Sequence, residues 1–169
     1  MVIVIGKTTH DVAEHQAMSS VFGYTCGHDV SARDWQKGTP GGQWLLGKTF
    51  DTFAPIGPVI VDAEELSDPG NLSVKMRVSG DCLQNGTTRE LIFSVAELVS
   101  HVSQVCTLRP GDLIFTGTPP GVGAARNPRR FLKPGDVCTV EIEGIGSLTN
   151  PCVASDSSEA ADFRAKRYA

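Results

Sequence analysis

Four polar residues, Asp29, Arg33, Asp34 and Gln36, crowd into "GHDVSARDWQ" at positions 27–36, directly after the apolar-leaning run "VFGYTC". Two carboxylates, a guanidinium and an amide admit two readings. Carboxylate oxygens suit a hard divalent cation such as Mg²⁺ or Ca²⁺. The same residues suit an ordinary helix start, with Arg33 salt-bridged to Asp29 or Asp34, and the stretch alone favours that second reading.

Other chemistry-bearing patterns narrow the field. "GTPPGVG" at 117–123 has the look of a phosphate loop but lacks the G-K-[ST] ending, which excludes nucleotide binding. "NPRR" at 127–130 is the densest basic spot and reads as a solvated loop. A formal net charge of -4 and the lack of a Lys/Arg block argue against a nucleic-acid or anionic-membrane surface. The cysteines Cys26, Cys82, Cys106, Cys138 and Cys152 are odd in number and contain no C-x-x-C, so neither a zinc site nor a disulfide framework is indicated. Free thiols fit a reducing, intracellular setting. No apolar run reaches membrane-spanning length, and direct membrane insertion is not expected.

The elements that must position such residues are mostly strands. "VIVIG" is a continuous β-branched run and reads as a buried strand. "HDVAEHQAM" has helical spacing at Val12, Ala13, Ala17 and Met18, with Asp11 as N-cap. "VFGYTCGHDV" returns to strand character, and "SARDWQ" forms one helical turn capped by Ser31. "KGTPGG" at 37–42 is a mobile loop. A short strand follows at 58–61, with Pro58 at its first residue. Leu72, Val74, Met76 and Val78 alternate with polar partners and turn at "SGD" into a hairpin.

"SVAELVSHVSQV" is the clearest helix. Ser94 and Glu97 form a capping box, and Val95, Leu98, Val99, Val102 and Val105 line one face. His101, beside that stripe, reads as packing or surface. "LRPGDLIF" and "LKPGDVCTVEI" each place Pro-Gly where a type II turn needs them, before a strand. "EIEGIGSLTN" closes a second hairpin. The tail, "ASDSSEAADFRAKRYA" at 154–169, reads as a loose surface helix or disordered segment, with Asp162 and Lys166 as an i,i+4 pair. The expected architecture is α+β, rich in mostly antiparallel strands.

Five stretches in this order, "GYTCGHDVSARDWQ", "QWLLGKTFDTFAPIGP", "IFSVAELVSHVS", "LRPGDLIFTGTPPGVG" and "FLKPGDVCTVEIEGIGSLTNP", resemble the catalytic domain of the fumarylacetoacetate hydrolase family. The resemblance runs from Met1 to about Pro151 and is strongest to the eukaryotic, largely mitochondrial fumarylacetoacetate hydrolase domain-containing proteins. It implies a mixed β-sandwich roll over residues 1–153, a homodimer or a place in a larger complex, and small 2-oxo acids and their enols as substrates. It also implies a Mg²⁺ or Mn²⁺ cofactor that chelates the substrate's carboxylate and 2-oxo group. A divalent ion on that oxygen stabilises the enolate as a Lewis acid, and a nearby ammonium adds to the effect.

Carried over position by position, the resemblance implies Asp29 as a metal ligand, Lys48 of "GKTF" as the catalytic ammonium and Gln36 beside the metal. Gly117 and Thr118 would hold the substrate carboxylate. Arg33 would orient Asp29 or Asp34 from behind. His28 stands where the family more often has Asn and is given no role. The family's other metal ligands, a Glu-x-Glu pair, stand just before the strand that reads "VIVIGK" here, and the sequence opens at Met1, one position later. One aspartate makes a weak Mg²⁺ site. Two functions are therefore expected: a metal-dependent tautomerase, decarboxylase or C–C hydrolase, or a non-catalytic accessory subunit of a mitochondrial assembly, docked through a tail helix bearing Phe163 and Tyr168.

Overall fold

The structure is a computed structural model and describes residues 1–38 and 44–168, with side chains through 166. Two four-stranded sheets carry the fold. The first is ordered β3-β2-β1-β6, from β1 (Val2–Ile5), β2 (Val21–Gly27), β3 (Ile56–Asp62) and β6 (Leu113–Phe115). The second is ordered β5-β4-β7-β8, from β4 (Ser73–Val78), β5 (Asp81–Thr87), β7 (Val137–Ile142) and β8 (Gly146–Pro151). Every ladder between these strands is antiparallel.

The sheets face each other over one apolar core. Ile3, Ile5, Tyr24 and Cys26 from the first meet Val74, Met76, Val78, Val140, Ile142 and Leu148 from the second. Ile3 and Ile5 are at most 1% exposed, and full burial of such side chains contributes about 1.5–3 kcal/mol each. Val2 and Val4 point to the opposite face of the sheet and are buried too, which is why the run is apolar at every position rather than alternating. In β4 only one face is covered, and there the side chains alternate as expected.

The helix α3 (Val95–Val105) starts with the expected capping box: the Ser94 hydroxyl accepts from the Glu97 N–H, and the Glu97 carboxylate accepts from the Ser94 N–H. Val95 and Val99 enter the core, with Leu98 and Val102 packed against it. Val105 does not join them. It is 77% exposed, because the helix ends there and Cys106 turns to extended backbone.

The first helical segment is shorter than its spacing suggested. Asp11 does not cap it; it sits at a positive φ of 48°, with its N–H donated to the Ser103 carbonyl. Val12 is stitched to the same helix by the Ser103 and Ser100 hydroxyls. Those tertiary bonds hold residues 11–12 out of helical geometry, so α1 spans only Glu14–Ala17 and a 3-10 turn follows at Met18–Ser20, leaving Met18 exposed.

Both Pro-Gly turns form. The Asp112 N–H donates to the Arg109 carbonyl and the Asp136 N–H to the Lys133 carbonyl, with Gly111 and Gly135 each at φ 89°. Pro58 is the third residue of β3, not the first, and is tolerated there because β3 is an edge strand. The tail forms α4 (Ser158–Tyr168), in which Asp162 and Lys166 make no ion pair with each other. Most of the segment expected to be a mobile loop, 39–42, lies outside the described residues, as does the Tyr168 side chain.

Candidate active site

Antiparallel register gathers the candidate residues at one end of the first sheet. Val2 pairs with both Thr25 and Phe115, and Gly27 pairs with Ile56. The start of β1, the end of β2, the start of β3 and the end of β6 therefore share an edge. Asp29 follows β2 at this edge, and Gly117 and Thr118 follow β6. A side chain at Gly27 would collide with Val2 and Phe115, so the end of β2 closes directly over its neighbours. The Met1 carbonyl accepts from both the N–H and the hydroxyl of Thr116, which fixes the start of the 116–118 segment.

Between His28 and Pro55 the described residues, 28–38 and 44–55, lead away from this edge and back to it. The base of this excursion is closed by the His28 N–H donating to the Pro55 carbonyl. Within it, α2 (Arg33–Gly38) packs on the 3-10 turn Leu46–Lys48. Gly47 permits this: a Cβ there would lie 2.7 Å from Gln36 Cβ and 2.9 Å from the Ala32 carbonyl oxygen. The Ala32 N–H donates to the Gly47 carbonyl across the same contact. Trp35 packs edge-on against Phe50, which leans on Phe53.

The result is to deliver Lys48 to Asp29. Its ammonium is ion-paired with the Asp29 carboxylate and donates to the Ser31 hydroxyl at 3.2 Å. Ser31 thus serves the lysine; its hydroxyl also donates to the Asp29 carbonyl, and it caps no helix. The pair is half-open to solvent, with side-chain exposures of 31% for Lys48 and 43% for Asp29. Next to it, His28 is half-buried, and burial holds its imidazole pKa below the ordinary value, against an opposing pull from Asp29.

Among the described residues Arg33 makes no ion pair with Asp29 or Asp34. Its guanidinium donates to Gln36 Oε1 at 2.6 Å, the i,i+3 neighbour on its own helix, while Asp29 is taken by Lys48. Gln36 is 1% exposed, and its Nε2 has no hydrogen-bond partner among the described residues. A buried amide donor without an acceptor costs about 1–3 kcal/mol, so this group is a ready donor for a bound oxygen.

Across the edge, Thr118 is exposed, and its Oγ1 accepts from Gln84 Nε2 at 2.8 Å. Gln84 also donates to the Pro119 carbonyl. Sequence reading missed Gln84. It sits on β5 in the other sheet, 34 residues from Thr118, in a stretch with no pattern that marks a site.

A cavity of about 480 Å³ opens beside the pair, bounded by Lys48, Phe50, Phe53, Pro55, Asn150 and Phe163. Phe163 belongs to α4, so the tail borders this cavity.

The donor set tests the expected cation. Asp29 offers one carboxylate, and no group of three or more His, Cys, Asp or Glu side chains able to hold a metal exists among the described residues. These residues do not by themselves fit a resident Mg²⁺ or Mn²⁺. No helix among them is long and apolar enough to cross a membrane.

The two packed antiparallel sheets are the frame on which the pair sits. The family model for the fumarylacetoacetate (FAA) hydrolase C-terminal region matches residues 1–153, and the chain belongs to the fumarylacetoacetate hydrolase family. It is 51% identical over 153 residues to the mitochondrial oxaloacetate tautomerase fahd2 of Xenopus laevis, covering 90% of this chain and 48% of that one. It resembles the solved fumarylacetoacetate hydrolase from Exiguobacterium antarcticum at 43% identity and a TM-score of 0.86, covering 90% of this chain and 54% of that one. The fumarylpyruvate hydrolase of Pseudomonas aeruginosa, solved in complex with Mn²⁺ and pyruvate, aligns at 40% identity and a TM-score of 0.81, covering 90% and 63%. The chain spans about half the length of the curated relatives it matches. The accessory-subunit alternative gains no support from these relatives, most of which are named as enzymes.

Proposed function

We propose that this chain carries part of the active site of an enzyme that interconverts the keto and enol forms of a small 2-oxo dicarboxylate, with oxaloacetate the favoured substrate. The observation that carries the reading is the Lys48 ammonium, held by Asp29 and Ser31 at the sheet edge it shares with Thr118. Relatives named as oxaloacetate tautomerases and a solved structure named fumarylpyruvate hydrolase support the substrate class.

The costly species in such a reaction is the enolate. The Lys48 ammonium supplies a fixed positive charge for the developing oxyanion, and a preorganised charge of this kind stabilises it more than mobile water does. Gln84 Nε2 occupies the Thr118 oxygen as a donor, which turns the hydroxyl's own proton outward to a substrate carboxylate. Gln36 Nε2 offers a further buried donor to a bound oxygen. Arg33, fixed on Gln36 Oε1, sets which end of that amide faces inward.

A divalent cation of the kind present in the solved Pseudomonas aeruginosa relative would need ligands beyond Asp29; were it held, it would supply Lewis-acid stabilisation of the enolate. A mitochondrial location is proposed from the relatives named mitochondrial, and a homodimer or a place in a larger assembly from the sequence resemblance alone.

The test is the rate at which enol oxaloacetate relaxes to the keto form, followed by ultraviolet absorbance with the chain present, with and without Mg²⁺ or Mn²⁺. Acceleration that oxalate, an enolate mimic, suppresses is the expected result. No acceleration and no oxalate binding with either ion would sink the reading.

A further inference from the structure

Cys138 Sγ and Cys152 Sγ lie 3.7 Å apart, across β7 and the residue that follows β8. The geometry points to a modification site: these two thiols form a reversible disulfide when a hydroperoxide or a low-molecular-weight disulfide oxidises the chain. This is independent of the proposed catalytic reading.

The backbone already holds the pair in register. Cys138 pairs with Asn150 in the ladder, and beyond Pro151 the Cys152 N–H donates to the Asp136 carbonyl while its own carbonyl accepts from Gly135. The sulfurs must close from 3.7 Å to about 2.05 Å, a movement within reach of side-chain rotation.

The two thiols are unequal. Cys152 is part-exposed, and Cys138 is 3% exposed. Burial, reinforced by Cys152, pushes the Cys138 thiol up to about 12. Cys152 is therefore the attacking sulfur and Cys138 the resolving one.

With a hydroperoxide, the Cys152 thiolate attacks the distal oxygen. An S–O bond forms, the O–O bond breaks, and the departing oxygen leaves as alcohol or water after taking a proton. Cys138 Sγ then attacks the sulfenic sulfur. The S–S bond forms, the S–O bond breaks, and hydroxide leaves as water with the Cys138 proton. Two thiols lose two electrons and the peroxide gains them.

The remaining cysteines frame the contrast. Cys82 and Cys106 are exposed, and Cys26 is buried with its thiol on the Gly146 carbonyl.

The experiment treats the native chain with hydrogen peroxide or oxidised glutathione, blocks remaining thiols, and digests with a glutamyl endopeptidase, which cuts at Glu141 and Glu143 between the two cysteines. The expected result is a pair of peptides joined through Cys138 and Cys152, lighter by two hydrogens and separated by reductant. Cys152→Ser should abolish the link and leave Cys138 unreacted. Cys138→Ser should stop Cys152 at a sulfenic acid or a glutathione adduct. Unfolding in urea before oxidation should scatter Cys152 among all partners. The inference is overturned if Cys82 and Cys106 are consumed while Cys138 and Cys152 both remain free. It is equally overturned if native Cys152 links to Cys82 or Cys106 as readily as to Cys138.

Discussion

The Lys48 ammonium reaches Asp29 across nineteen residues of chain because Gly47 lets its turn lie flat on α2. The contact is half-exposed, so it is a weak source of stability: open ion pairs contribute about 0–1 kcal/mol. Its value on the proposed function is positional. Lys48→Met and Asp29→Asn should therefore each leave thermal unfolding nearly unchanged. Lys48→Met should slow enol–keto conversion of oxaloacetate by roughly 10²–10³-fold, the usual cost of removing one oxyanion-stabilising donor. Stopped-flow absorbance with a parallel melting curve checks both. A large drop in melting temperature with unchanged turnover would make the pair structural.

Gly47 itself is a sharper structural test. A methyl at this position meets Gln36 Cβ and the Ala32 carbonyl inside contact distance. Overpacking of this kind costs typically about 1–3 kcal/mol. Gly47→Ala should lower stability by that order in urea unfolding, and should weaken oxalate binding as well, since the displaced turn carries Lys48.

Much of this frame was legible in the sequence. "VIVIG" announced a strand buried on both faces, Ser94 and Glu97 announced a helix start, and the Pro-Gly pairs announced their turns, because each rests on local chemistry. What failed was decided by distant partners. Asp11 caps nothing because Ser103, far along the chain, claims its N–H. Arg33 ignores the aspartates because the Gln36 amide lies one helical turn away and Lys48 already holds Asp29. Asp29 and Lys48 could be named as candidates from resemblance, but their pairing depends on a close approach at Gly47 that no local pattern reveals. Gln84 was invisible for the same reason: its role exists only where β5 meets the loop after β6.

Asp136 predicts the acid limit of stability. Its carboxylate is buried, accepting from Arg130 Nη2 at 2.9 Å, the Lys133 N–H at 3.0 Å and the Ser79 hydroxyl at 3.1 Å. The Arg130 guanidinium, first among these, holds the carboxyl below its ordinary value of 3.8, against the opposing effect of burial. A pKa depressed by folding gives stability that is fully present above the unfolded value and lost as pH falls through the folded one. The native chain should therefore lose this contribution only below about pH 3.8. Asp136→Asn should be less stable than the native chain at neutral pH, with the gap narrowing as acid protonates Asp136. Urea midpoints measured from pH 7 to pH 2 read this directly. A constant gap across that range would contradict it.

Thr118 and Gln84 make the last prediction, which concerns binding rather than chemistry. With Gln84 Nε2 donating to the Thr118 oxygen, the hydroxyl proton is free to meet an anion. On the proposed function that anion is the substrate carboxylate, gripped alike in ground and transition states, and removing uniform binding raises KM and leaves kcat. Thr118→Val should raise KM for oxaloacetate by roughly 10- to 100-fold with kcat changed far less, the scale of one hydrogen bond to a charged group. Gln84→Leu removes the orienting donor and its bond to the Pro119 carbonyl but leaves the Thr118 hydroxyl in place, so its KM should rise less. The double variant should be no worse than Thr118→Val alone, because Gln84 acts through the hydroxyl that Val lacks. Steady-state kinetics on the three variants decide it. Additive losses would mean that Gln84 touches the substrate itself, and a fall in kcat matching the rise in KM would move Thr118 from gripping the carboxylate to stabilising the enolate.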